Sequence, residues 1–178
     1  MTSVGRFLVL SVVGLFLVNS EVSAGMFGFG KKTEVHLSPE VKGRITLNGE
    51  AIEGAEVYRT LDYDKEYFDQ TFTDKEGRFE FQEMNIRSGR PGKLMDETRV
   101  RQVIGAVVDG RKYLLWYHTP GGITERTAVT RRLRNLDCDL TTAEKELLFR
   151  NLEKPDFPHA AFSICRWNDG LEMDELED

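Results

Sequence analysis

The side chains with catalytic or ligand-binding potential fall into a few small groups. The three histidines, His36, His118 and His159, are scattered, whereas zinc sites draw their ligands at short, recurrent intervals. His118 beside a carboxylate in a pocket would suit a hydrolase, yet the chain holds no Gly-x-Ser-x-Gly elbow and no phosphate-cradling glycine loop. Asp62-Tyr63-Asp64-Lys65-Glu66 gathers carboxylates without the glycine and spacing of a calcium loop, and reads as a solvated turn. No catalytic residue, cofactor site or metal site is expected, and the protein is read as a non-enzyme. Arg87, Arg90, Lys93, Arg99 and Arg101 make one stretch locally basic. Such a patch could meet an acidic partner surface and speed association, and a solvated loop is the alternative.

Two cysteines, Cys138 and Cys165, remain. A reactive thiol needs a cationic neighbour, and only His159 is close in sequence. In an oxidising compartment the two are expected to pair, and closing a loop of about 28 residues removes denatured-state entropy worth roughly 3–4 kcal/mol.

That compartment is read from the N-terminus. Arg6 is a positive n-region, residues 7–18 form an apolar run of about a dozen residues, and Val22-Ser23-Ala24 has the small-residue form of a cleavage site. A bilayer-spanning helix needs ~20 apolar residues, so residues 1–24 are expected to be a cleaved signal peptide. The mature chain is then periplasmic in a Gram-negative host, with no membrane insertion. The formal charge of −6 argues against nucleic acid or an anionic membrane as partner. Glu172, Asp174, Glu175, Glu177 and Asp178 crowd the last residues, and residues 169–178 are expected to be a disordered acidic tail.

The candidate side chains are carried mostly on strands. After a glycine and phenylalanine leader at 25–33, a single domain is expected over 34–168. Residues 35–37 and 41–47 alternate apolar and polar side chains, with a break at Ser38-Pro39. Asn48-Gly49 makes a turn into a returning strand at 55–60, and Asp74-Lys75-Glu76-Gly77 leads into Phe79 and Phe81 on one face. Residues 103–108 and 112–118 flank Asp109-Gly110, the strongest hairpin signal in the chain. Their near-continuous apolar content predicts central strands with Trp116 in the core. The period then changes. Ala128, Val129, Leu133 and Leu136 predict a helix near 124–136, with Arg126, Arg131, Arg132 and Arg134 on its remaining surface. Thr141 and Glu144, at capping-box spacing before Leu147 and Leu148, predict a second helix at 141–149. Residues 161–167 are expected to be a last strand.

Gly43, Gly54-Ala55-Glu56-Val57 and Thr73-Asp74-Lys75-Glu76-Gly77-Arg78-Phe79 resemble the carboxypeptidase regulatory-like module of the transthyretin-like group over residues 41–81. The resemblance implies a seven-stranded sandwich. With the helices, the expected fold is mainly β: a transthyretin-like (Ig-like) antiparallel β-sandwich with a short C-terminal helical appendage. In it Asp74 would bond turn amides, Gly77 take positive φ and Phe79 plug the sandwich end. Hydroxyisourate hydrolase, an enzyme of that fold, carries a C-terminal Tyr-Arg-Gly-Ser signature that is missing here. The chain from Leu37-Ser38-Pro39-Glu40-Val41-Lys42-Gly43 through Tyr113-Leu114-Leu115-Trp116-Tyr117 to Phe162-Ser163-Ile164-Cys165-Arg166-Trp167 also resembles a family of small exported proteobacterial proteins. By analogy with exported proteins of this size, the expected function is a protein-binding module, in the form of an immunity protein that occludes a secreted type VI effector. A carbohydrate- or envelope-binding module, with Tyr58, Tyr63, Tyr67 or Trp167 stacking on sugar rings, and a hydrolase built on His118 are the alternatives.

Overall fold

Apolar and polar residues alternate along most of the chain, and a pleated strand turns that alternation into one buried and one exposed face. The computed structural model describes residues 32–94, 96 and 98–167. The expected signal peptide, the leader up to residue 31 and the acidic tail lie outside the described residues. The first strands are β1 (Thr33–Ser38), β2 (Val41–Leu47), β3 (Glu50–Ala51), β4 (Glu56–Asp62) and β5 (Glu66–Phe72). They are followed by β6 (Arg78–Phe81), β7 (Met84–Ser88), β8 (Arg101–Val108) and β9 (Arg111–His118). A short helix, α1 (Thr127–Leu133), leads into β10 (Leu136–Asp139), β11 (Lys145–Phe149), β12 (His159–Ser163) and β13 (Cys165–Arg166).

Two large sheets face each other. One has six strands in the order β11-β12-β9-β8-β4-β5, and the other five, β13-β10-β2-β3 with β6 also on β2. Inward residues of both, among them Ile45, Phe79 and Cys138 from one and Val57, Ile104, Trp116 and Phe149 from the other, form one buried cluster. The described residues therefore form a mainly β sandwich with one short helix, whose Ala128, Val129 and Leu133 complete that core. The sheets hold more strands than the seven the resemblance implies. A small third sheet pairs β1 with β7 and covers a satellite cluster of Val35, Leu37, Leu61, Tyr63 and Val100.

The turns follow their residue chemistry. Asp109 and Gly110 both take positive φ, 49° and 74°, as the tight turn between β8 and β9 requires. Asp74 Oδ1 accepts the amides of Glu76 and Arg78 at 3.0 and 2.8 Å. Gly77 sits at φ 75° and Gly54 at φ 73°. A Cβ on Gly77 would also overlap the Ile45 carbonyl, so two independent demands select glycine there. Phe79 is buried and meets Phe81 edge-on.

Four expectations are corrected. The helix expected at 141–149 is not formed: residues 145–149 are β11, antiparallel to β12 with Leu147 opposite Ala161 and Phe149 opposite His159. Leu147 and Phe149 point inward at period two, and Thr141 serves a turn, its hydroxyl and amide both bonding Asp139 Oδ1 at 2.5 and 2.9 Å. The helix expected over 124–136 is shorter, Thr127–Leu133, because Leu136 is drawn into β10 alongside Gly43 of β2. The last strand is split at Ile164, so β12 lies in one sheet and β13 in the other. Arg132, placed on the helix surface by its polarity, is buried, with its guanidinium 3.9 Å from the centre of the Phe149 ring. The arginine stem packs as an apolar group while the ring face attracts the charge.

Candidate functional site

The outward face of the five-stranded sheet is basic. Along β2 Val41 and Ile45 point into the core while Lys42 and Arg44 point out. Register then brings distant residues together. Arg44 pairs with Arg78 of β6 on one side and with Asp137 of β10 on the other, and Asp137 pairs with Arg166 of β13. One row across four strands thus reads Arg166, Asp137, Arg44, Arg78. The next row sets Lys42 opposite Glu80, and Arg134 and Asn135, just after α1, close one end. Thr71, Phe72 and Asp74 add to the lining, giving an open groove of about 940 Å³. Gly43 runs along its floor, where a side chain would overlap the Phe79 ring.

The charges in this groove are unevenly satisfied. Glu40 pairs with Lys42 at 2.8 Å and with Arg134 at 3.5 Å, and the Lys42 ammonium holds the Glu40 carboxyl below its ordinary range. Asp74 is committed to its turn. Arg44 donates Nε to the Glu76 carbonyl at 3.0 Å. Among the described residues, Arg44, Arg78 and Arg166 form no ion pair. Arg44 and Arg78 lie directly opposite each other, an arrangement that costs a strand pair a few tenths to about 1 kcal/mol.

The basic stretch picked out in the sequence is dispersed. Arg87 is on β7 and reaches the Lys32 carbonyl. Arg90 bonds the Tyr63 carbonyl and pairs with Asp96 at 3.4 Å. Arg101 pairs with Asp62 at 2.9 Å, and Lys93 is exposed. Only Arg99 joins another cluster, a cleft of about 780 Å³ that it shares with Arg126, Lys154, Asp96, His118 and His159. There His118 Nδ1 donates to the Ala160 carbonyl at 2.8 Å rather than to a carboxylate. The Nε2 atoms of both histidines are buried without a hydrogen-bond partner among the described residues. Burial takes His118 down to about 4 and also lowers His159, so both are neutral near pH 7.

Other candidates resolve as structure. Cys138 and Cys165 are disulfide-bonded and sit opposite each other on β10 and β13, which ties the groove's outer strand to its neighbour. Trp167 and Tyr63 are buried and present no stacking face, and Tyr67 donates its hydroxyl to Asp64 at 2.8 Å. Asp62 and Asp64 thereby go to separate partners. No group of three or more His, Cys, Asp or Glu side chains among the described residues could hold a metal ion. No helix among them is long and apolar enough to cross a membrane.

Sequence reasoning missed the groove. Its signal was the outward half of the alternation, Lys42 and Arg44 about Gly43, but the neighbours Arg78, Asp137 and Arg166 follow only from strand order, including the parallel pairing of β2 with β10. No curated protein and no solved structure matches the chain. One family does match, over residues 41–143, a span that contains Arg44, Arg78 and Cys138 but neither Cys165 nor Arg166. Since that span exceeds half of the 178 residues, the chain belongs to the family described as domain of unknown function DUF6795.

Proposed function

We propose that the protein is an exported, non-catalytic binding module whose basic groove takes an acidic segment of a protein partner, and that a secreted toxin, which it occludes, is the partner class. The observation that supports this is the row of Arg44, Arg78 and Arg166, held on a disulfide-tied sheet without ion pairs among the described residues. Paired guanidinium groups gain little at a surface, but unpaired ones on a rigid scaffold retain their donors for carboxylates and need no rearrangement to meet them. The carbohydrate reading keeps one supporting observation. Tyr58 stacks on Phe68, and Tyr117 packs on Phe162, on the outer face of the six-stranded sheet, where Phe68 and Phe162 are exposed. Retardation on polysaccharide gels that is lost in Phe68→Ala would favour it.

The test is capture from the exported fraction of cells challenged by competitors, repeated with Arg44→Glu combined with Arg166→Glu. The expected result is a stoichiometric acidic protein that is lost with charge reversal and released by high salt. A partner that binds the reversed groove equally well contradicts the reading, as does recovery of no stoichiometric protein.

A further inference from the structure

The charge of this chain is divided sharply along its length. Residues 168–178 contain Asp169, Glu172, Asp174, Glu175, Glu177 and Asp178 and no Lys or Arg, six acids that equal the whole formal charge of −6. The remaining residues balance to zero. The described chain ends at Trp167, one residue beyond Arg166, which lines the basic groove. Because β13 runs antiparallel to β10, with Arg166 opposite Asp137 and Cys165 opposite Cys138, the strand itself points toward the Asn135 and Arg134 end of β10. Those two residues also line the groove. The described chain therefore ends beside the basic surface, immediately before the acidic segment in sequence.

We infer that the acidic segment 168–178 is an internal ligand of the groove, held by Arg44, Arg78 and Arg166, and that a partner must displace it. This rests on the reading of the groove as a site for acidic segments and adds its regulation. Reach is sufficient: eleven residues extend up to about 36 Å, whereas the distance from β13 across β10 and β2 to β6 is three strand spacings, about 14 Å. The segment alternates acids with Leu171, Met173 and Leu176, and Phe72, exposed on the groove wall, offers them an apolar contact. A tethered segment acts at an effective concentration on the order of millimolar. It therefore excludes weak acidic ligands and yields to a partner that adds contacts outside the groove.

The experiment is fluorescence anisotropy with a labelled peptide of the sequence of residues 168–178, and with labelled polyglutamate as a second probe. Each is titrated at low salt against the mature full chain and a variant ending at Trp167. A second variant with Glu172, Asp174, Glu175 and Glu177 changed to the matching amides guards against effects of truncation on folding. If the inference holds, the peptide binds the shortened and amide variants about tenfold more tightly than the full chain, as expected for a tethered competitor of roughly 0.1 mM affinity. Arg44→Glu with Arg166→Glu then abolishes binding to the shortened chain. Equal affinity for full and shortened chains, lost on charge reversal, overturns the inference and leaves the groove reading standing. Absence of binding by both probes to every form overturns both.

Discussion

At the scale of single residues, the buried charged and titratable groups make the sharpest predictions. His118 loses proton affinity through burial, to about 4, while the unfolded chain titrates near the ordinary value of 6.5. Stability is therefore complete above pH 6.5 and falls as pH drops toward 4, by about 3 kcal/mol at the lower end for this residue. Asp139 does not interfere in that window. Hydrogen bonds, first from the Thr141 hydroxyl, hold its carboxyl far below the usual range, so its contribution is lost only in stronger acid. Thermal melts at pH 7.5 and 4.5 check this: His118→Gln should shrink the gap between them, and an unchanged gap contradicts it. Arg59 is a second case. It is fully buried, bonds Asp69 through two nitrogens at 3.0 and 2.6 Å, and bonds Ser38 and the Gln82 carbonyl. Arg59→Ala strands those acceptors and should cost about 2–3 kcal/mol in a urea melt; a cost within error would mean that water replaces the guanidinium. Neither role was read from the sequence: Arg59 shares its face with Val57 and Leu61, and His118 with Trp116, at period two, but their polarity argues for the surface, and the partners that offset burial, Asp69, Ser38 and Gln82 for Arg59 and Ala160 for His118, come from elsewhere in the chain.

At the scale of elements, what was legible is what local chemistry decides. The Asp109-Gly110 turn and the Asp74 to Gly77 turn formed as read, since positive φ and side-chain acceptance of amides are properties of a few adjacent residues. Gly77→Val should accordingly lower the melting temperature by several degrees, through backbone strain and through overlap with the Ile45 carbonyl. An unchanged melt would show that the turn relaxes without cost. The expected helix over 141–149 failed for the complementary reason. Leu147-Leu148-Phe149 fits a helical stripe or a strand equally well over so short a run, and the choice was made by β12, which pairs with it from beyond Pro155 and Pro158. The groove is illegible on the same ground, its row of side chains being assembled from β2, β6, β10 and β13 by long-range pairing.

At the scale of the whole molecule, a sandwich tied by one disulfide presents a basic groove while an acidic segment accounts for the entire net charge. The tie stabilises the groove's outer strand. Cys138→Ser should lower the melting temperature by about 10 °C under oxidising conditions, from roughly 3–4 kcal/mol of loop-closure entropy; melts that coincide without reductant would contradict it. On the proposed reading the cationic row serves to bind and not to hold the sheet together. Arg78 tests it most directly, because it faces Arg44 across the strands and forms no ion pair among the described residues. Melting temperature and polyglutamate affinity should be measured side by side at low salt for Arg78→Gln in the chain ending at Trp167. A melt unchanged or slightly raised is expected, as the like-charge contact is relieved, together with a several-fold loss of affinity. A lowered melt with affinity intact would contradict it.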